Sequence, residues 1–203
     1  MKKEVKQMNT GMKTSTKVWI GVAIVAVLLI FWVIGGYNNF VTMNQDVQGK
    51  WSEVNSQYQR QADLIPNLVS VVSSAVGTET KFVKDVIAAR TAWQSAASGI
   101  AKDTAGQQMN TGLTAFVNAV SENYPDFKAN TQYVALTDEL SGTQNRITVA
   151  RGNYIKSVQT FNTAVKRFPG NIFAGMFGFS GKEYYQADVN AMTPPVLGTG
   201  VLP

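Results

Sequence analysis

Apolar residues are concentrated in one stretch near the start of the chain. The run VWIGVAIVAVLLIFWVIGG, residues 18–36, contains no charged side chain. At 1.5 Å per residue, about 20 residues cross the roughly 30 Å hydrocarbon core of a bilayer. The pattern therefore predicts a transmembrane helix over residues 18–37. A cleaved signal peptide is the main alternative, but its apolar core is usually about 7–15 residues long and ends at a small-x-small site, so an uncleaved anchor fits better.

Beyond the apolar run, apolar residues recur at steps of three and four, which is the spacing of one helix face. This first stripe consists of Phe40, Asn44, Val47, Trp51, Val54, Tyr58, Gln61, Ile65, Leu68 and Val72. It predicts that the membrane helix continues into the domain that follows. A kink is expected at Pro66, which has no backbone N–H to donate to the helix.

The same spacing predicts three more helices. The second covers residues 79–97, and the fourth runs from Tyr133 to Phe168. The third is marked by the apolar positions Met109, Leu113, Phe116, Val117 and Val120. Since alternating strand patterns are scarce, we predict an all-α protein: an N-terminal single transmembrane helix followed by an antiparallel helical bundle of about four helices.

Turn signals separate the predicted helices. The glycine-containing stretch 98–112 predicts a loop, and either Asn130 or Thr131 is expected to cap the fourth helix. Prolines predict where the third and fourth helices end. The positions predicted to form turns or kinks are Pro66, Asn67, Tyr124, Pro125, Phe168 and Pro169.

Charge predicts how the chain is oriented. Residues 1–17 contain five lysines and one glutamate, and the rest of the chain is nearly neutral. Basic residues beside a membrane helix favour the cytoplasmic side. We therefore divide the chain into a basic cytoplasmic arm (1–17), a transmembrane anchor (18–37), a helical bundle (38–179) and a C-terminal tail (180–203). A nearly neutral bundle argues against nucleic acid as a partner.

Composition narrows the chemistry. The chain contains no histidine and no cysteine. Disulfides, thiol nucleophiles, zinc sites built on Cys or His and Ser-His-Asp triads are therefore excluded. No phosphate-binding glycine loop or pair of catalytic carboxylates stands out, and we expect no cofactor, no metal site and no enzymatic activity.

Several polar residues fall near the apolar stripes. They form either a polar ligand pocket between helices or ion pairs that set the register of the bundle, since an unpaired buried charge is costly. These candidates are Arg60, Asp63, Arg90, Arg146 and Arg151.

Aromatic residues mark candidate positions at the membrane surface, where amphipathic rings are favoured. They are Trp19, Trp32, Tyr37, Phe173 and Phe177. A fourth helix of about the length of the first should return to the bilayer, so the apolar segment 171–179 either contacts the interface or caps the bundle core.

Several sequence blocks, in this order, resemble the LemA family of bacterial membrane proteins. They are QRQADLIPNLV (59–69), AAR (88–90), ENYPDFKAN (122–130), NRI (145–147) and FPGN (168–171). Gln61 stands where the family usually has a second arginine, and Gln144 stands in place of an acidic residue. The resemblance implies a helical bundle on an N-terminal anchor and an association with the bacterial envelope. The family has been described with its N-terminus outside, whereas the lysines here favour the cytoplasm.

These observations favour a non-enzymatic helical protein anchored in the inner membrane by a single span. Its expected partners are the lipid bilayer and either further copies of itself or another membrane protein. The alternative is a sensory protein that holds a small ligand between the bundle helices.

Overall fold

The computed structural model describes residues 14–77 and 80–184. Most of the predicted basic arm and the tail beyond residue 184 lie outside the described residues. Within them the chain forms five α-helices and one short 3-10 helix, and no strand. The predicted all-α helical bundle is confirmed.

The first helix, α1 (Thr14–Val76), is 63 residues long. Almost all large apolar side chains between Val18 and Ile34 are exposed. Among the described helices, α1 is the one long and apolar enough to cross a membrane. From Phe40 onward the predicted stripe turns inward, and nearly all of its members are buried. One continuous helix therefore supplies both the candidate membrane span and a wall of the core.

The long helix α4 (Thr131–Lys166) packs antiparallel along the buried part of α1. The ring centroids of Trp51 and Tyr154 lie 5.9 Å apart, and those of Phe40 and Phe161 lie 6.2 Å apart. Residues early in the stripe of α1 therefore meet residues late in α4. This packing brings the end of α4 back toward the apolar part of α1.

Two shorter helices, α2 (Lys81–Ser95) and α3 (Ile100–Asn123), form a hairpin that packs on the long pair. Lys102 ties the two together, because its Nζ donates to the backbone oxygens of Trp93 and Gln94 at 2.6 and 3.1 Å. It also lies 4.2 Å from the centroid of the Trp93 ring. A cation at the C-terminal end of α2 is favourable, since the last carbonyls of a helix lack intrahelical donors.

The prediction of a loop over residues 98–112 is wrong. Helix α3 begins at Ile100, so only the start of that stretch is a connection. The misleading signal was glycine, and Gly106 is inside the helix for a packing reason. A Cβ at this position would come within 2.7 Å of the Tyr58 ring, so the ring can pack there only against a glycine.

The connection between α3 and α4 follows the turn signals. Tyr124 ends α3, and a 3-10 helix spans Pro125–Ala129. The side-chain oxygen of Asn130 accepts hydrogen bonds from the backbone N–H groups of Gln132 and Tyr133, both at 3.0 Å. Asn130 is therefore the N-cap of α4, and it is one of the two positions predicted for this cap.

A short apolar helix, α5 (Gly170–Phe177), follows α4 and packs against both α4 and α1. The two helices are joined through Pro169, and α4 ends at Lys166, two residues earlier than predicted. Phe168, the last residue of the predicted fourth helix, is 75% exposed.

The segment beyond α5 is attached to α4 by hydrogen bonds. The side-chain amide of Asn162 exchanges two hydrogen bonds of 2.7 Å with the backbone of Lys182. These bonds hold the last described residues on α4.

Candidate functional site

A buried ion pair lies at the centre of the bundle. Asp103 on α3 is 1% exposed and faces Arg151 on α4. The Arg151 Nε lies 3.1 Å from one carboxylate oxygen of Asp103, and Nη2 donates to the other, also at 3.1 Å. The Nη2 hydrogen bond and the close approach of Nε together hold the guanidinium against the carboxylate. The pair therefore sets how α3 and α4 are aligned.

Two further side chains complete the shell of Asp103. The Tyr58 hydroxyl of α1 donates to it at 3.3 Å, and the Gln107 amide donates at 2.8 Å. Burial raises the pKa of the Asp103 carboxyl even though the Arg151 charge opposes the shift. Burial, together with the neighbouring carboxylate, raises the pKa of Tyr58 well above its usual range. Tyr58 is therefore a neutral hydrogen-bond donor, and it adds α1 to the junction.

A second polar cluster, made of amides, lies further along the same three helices. The amide nitrogen of Gln61 on α1 donates to the side-chain oxygen of Asn110 on α3 at 2.8 Å. The Gln144 amide on α4 donates to the same oxygen. It also donates to the Thr114 hydroxyl, at 3.4 Å. Two of the positions at which the chain departs from the LemA pattern, Gln61 and Gln144, thus meet at one residue.

A third polar group bridges α1 and α4 at the surface. Glu139 accepts from Arg60 Nε at 3.0 Å and lies 3.5 Å from Arg146 Nη1. The hydrogen bond and charge of Arg60 lower the pKa of Glu139. All three side chains are well exposed, so the contact is worth little in stability. It belongs to the outer surface of the bundle.

The proline in α1 is matched by an arginine from α2. Pro66 cannot donate to the carbonyl of Ala62, four residues earlier. Arg90 Nε donates to that carbonyl at 2.9 Å instead. Helix α1 continues through Pro66 without a break, and the kink predicted there stays a prediction. A buried carbonyl that has lost its helical partner thus gains one from a neighbouring helix.

A groove opens beside this contact. It has a volume of about 550 Å³ and is lined by apolar side chains, serines and Arg90. Its lining residues are Ile65, Pro66, Val69, Ser70, Ser73, Ser74, Ile87 and Arg90. Within the described part of the chain, no carboxylate forms an ion pair with Arg90. The groove is therefore an apolar surface with one cation at its edge.

The five predicted polar residues do not form a single pocket. Arg151 lies in the buried pair, Arg60 and Arg146 lie in the surface bridge, and Arg90 lies at the proline. Asp63 is exposed and accepts a hydrogen bond from Gln59 within the same helix, at 2.8 Å. Four separate local environments account for them.

The predicted interface residues divide into two groups. Trp19, Trp32, Tyr37 and Phe177 are exposed. Phe173 is buried, which corrects its prediction as a residue facing the interface. Its ring packs on Gly36 of α1, where a Cβ would come within 2.6 Å, and its centroid lies 4.6 Å from that of Trp32. The missing side chain at Gly36 creates the space that Phe173 fills.

The residue that sequence reasoning missed is Asp103. It lies within the stretch predicted as a loop, where no apolar helix face is expected. Once α3 is known to begin at Ile100, Asp103, Gly106 and Asn110 fall on one face at steps of three and four. A carboxylate at such a position signals a buried partner.

The arrangement offers little for catalysis. Among residues 14–77 and 80–184, no group of three Asp or Glu side chains comes together to hold a metal ion. The buried carboxylate is already engaged by Arg151, Gln107 and Tyr58. A fully engaged acid has no free lone pair directed at a substrate. The polar interior therefore serves to align helices.

Removing one partner of the buried pair should destabilise the bundle strongly. Asp103→Leu or Arg151→Met alone leaves an uncompensated buried charge, and each should lower the free energy of unfolding by about 3 kcal/mol. The double variant should cost much less than the sum of the two, because no lone charge remains. Chemical denaturation followed by circular dichroism in detergent measures this cycle.

The exposed pair Lys50–Glu53 is the matched control, and its removal should change the free energy of unfolding by less than about 1 kcal/mol. Additive costs for Asp103 and Arg151 would contradict the coupling.

The link between Pro66 and Arg90 gives a second double-mutant cycle. Arg90→Ala should cost about 1–3 kcal/mol, because the Ala62 carbonyl loses its donor. In a Pro66→Ala background the cost should fall, since the substituted alanine supplies the backbone N–H that the helix lacked. Arg146→Ala is the control and should cost the same in both backgrounds. An equal cost of Arg90→Ala in both would show that the side chain does not replace the missing helical donor.

The chain is similar to known proteins over most of its length. A sequence model of the LemA family matches residues 50–197. Magnetosome protein MamQ 1 and Magnetosome protein MamQ 2 of Paramagnetospirillum magneticum are each 28% identical over 210 residues, which cover 90% of this chain and 75% of the relative. Magnetosome protein MamQ of Magnetospirillum gryphiswaldense is 25% identical over 190 residues, covering 79% and 70%. Because the family match includes more than half of the chain, the chain belongs to the LemA family, and it is a membrane-associated helical protein.

Proposed function

We propose that the protein is a non-enzymatic component of a bacterial envelope that acts by assembling with further copies of itself or with another membrane protein. The observation that carries the proposal is the continuity of α1. The same 63-residue helix forms the candidate membrane span and the longest wall of the bundle. A bundle built this way is held at a fixed orientation to the membrane, which suits side-by-side association with a neighbouring protein.

Chemistry and similarity support a role without catalysis. The buried carboxylate is fully engaged, and the chain lacks the histidine and cysteine on which many active sites depend. The names of the relatives refer to the magnetosome and mention no reaction. A protein that works through its surface needs no reactive group.

The proposal includes a topology. The five lysines of residues 1–17 favour a cytoplasmic position for the short arm, by the positive-inside rule. The bundle then lies outside the cytoplasm, on a single pass through the inner membrane. Partners of the bundle are expected among envelope proteins.

A second candidate function is ligand sensing. The groove beside Pro66 favours it, because about 550 Å³ of largely apolar lining meets the cation of Arg90. An amphiphile with a short apolar chain and an anionic head fits that chemistry. Decanoate should then raise the melting temperature of the purified protein while neutral decanol should not. Equal effects of the two compounds would remove this candidate.

Assembly can be tested directly because the chain contains no cysteine. Single cysteines at Ser15 and Ser141, both exposed, give one reporter on either side of the candidate span. In intact cells, a membrane-impermeant maleimide should label Ser141→Cys and leave Ser15→Cys unlabelled. A bifunctional maleimide should crosslink the Ser141→Cys protein to a neighbour in native membranes, with the cysteine-free parent as control.

Two results would count against the proposal. Labelling of Ser15→Cys alone would reverse the topology and turn the search toward cytoplasmic partners. A purified full-length protein that stays strictly monomeric, together with no captured neighbour in membranes, would refute assembly.

A further inference from the structure

Helix α5 lies at the depth of the candidate membrane span. The Phe173 ring packs on Trp32 with centroids 4.6 Å apart, and the Phe177 ring packs on Tyr37 at 4.9 Å. Trp32 is five residues inside the end of the predicted span at residue 37, which is about 8 Å along the helix axis. The contacts of α5 therefore reach below the level at which α1 leaves the bilayer.

The outer side of this segment is apolar and exposed. Phe168 is 75% exposed, Met176 is 61% exposed and Ile172 is 44% exposed. Ile172 and Met176 are one helical turn apart and share a face. Helix α5 has no charged residue. An uncharged helix with large apolar side chains pointing outward is poorly matched to water.

A groove and two cations lie directly beside this face. The groove has a volume of about 360 Å³, with apolar walls that include Phe40, Met43 and Phe173, and Arg167 lines it as well. Lys166 and Arg167 are both exposed. Within the described residues, neither side chain forms an ion pair. The combination is an apolar slot with a guanidinium at its edge.

We propose that α5, its groove and the adjacent cations form a binding surface for anionic phospholipid, which holds the base of the bundle on the bilayer. This inference rests on the membrane anchoring proposed for α1. Phe168, Ile172 and Met176 insert among the acyl chains, and Arg167 and Lys166 bind lipid phosphate. The protein then contacts the membrane twice, through α1 and through α5.

Lipid fits this surface better than a second copy of the chain. The exposed apolar face of α5 is continuous with the exposed apolar side of α1, through the contacts of Trp32 and Tyr37 with the rings of α5. A bilayer that surrounds α1 necessarily reaches a helix packed against it at that depth. Cations immediately next to an apolar face match the phosphate layer of a membrane.

Spin labels can report which medium surrounds α5. Single cysteines are placed at Ile172 and Met176, with the full-length protein in lipid nanodiscs. Ile87 on α2 is the matched control, since it is also an isoleucine that is 44% exposed. Ile24 within the span is the reference for lipid. Collision with molecular oxygen, which dissolves in lipid, is compared with collision with a water-soluble nickel complex.

The oxygen-to-nickel ratio at Ile172→Cys and Met176→Cys should be several-fold higher than at Ile87→Cys and should approach that of Ile24→Cys. Ratios equal to that of Ile87 would overturn the proposal, as would labels shielded from both agents, which would indicate a protein neighbour. An aqueous ratio at Ile24→Cys would overturn the membrane anchoring itself. A lipid-like ratio at Ile24→Cys together with an aqueous ratio at Ile172→Cys would overturn the proposed α5 surface and leave the membrane anchoring of α1 standing.

The role of the lipid phosphate is tested by changing the lipid composition of the nanodiscs. The Ile172→Cys ratio should be higher in nanodiscs of phosphatidylcholine with phosphatidylglycerol than in phosphatidylcholine alone. The added variants Lys166→Gln and Arg167→Gln should abolish the difference. Lys156→Gln is the control and should preserve it, because this exposed lysine lies about 16 Å higher on α4. The same ratio in both lipids would refute the role of the cations.

Discussion

The architecture depends on the continuity of α1. A helix that crosses from the candidate span into the bundle core has to keep its hydrogen-bond ladder intact, and Pro66 removes one donor from that ladder. Arg90 replaces the donor on the Ala62 carbonyl from the neighbouring helix. The proline is therefore also an attachment point for α2. Because α4 packs along the same helix, α1 connects the packed core directly to the candidate span.

Much of the fold could be predicted, because the long helices carry stripes that helix periodicity explains. The stripe of α1 and the cap at Asn130 needed only local information. The start of α3 could not be predicted in this way. Gly106 has a low helix propensity on its own, and it occupies the helix because the Tyr58 ring packs against its bare backbone. That partner lies 48 positions earlier in the chain, so no local signal contains it.

The polar interior was even harder to predict from local sequence information. Sequence reasoning selected Arg151 but not its partner, since a pair between α3 and α4 is visible only when both helices are in register. The pair, the Tyr58 hydroxyl and the amides around Asn110 join three helices by directional bonds. Apolar packing alone tolerates sliding of one helix along another, whereas these bonds hold in one register. We interpret the polar interior as a device for alignment.

The two ends of the bundle differ in chemistry because of the parity of its helices. With α1 and α3 running away from the span, α4 has to return, and its end delivers α5 to the side of α1 at Trp32. The opposite end carries the groove beside Pro66. Thirty residues separate Gly36 from Pro66, about 45 Å along a helix. That distance exceeds the reach of any lipid headgroup, so a molecule bound beside Pro66 comes from the aqueous phase or from a partner. The base and the far end are therefore independent surfaces at opposite ends of the long α1 and α4 pair.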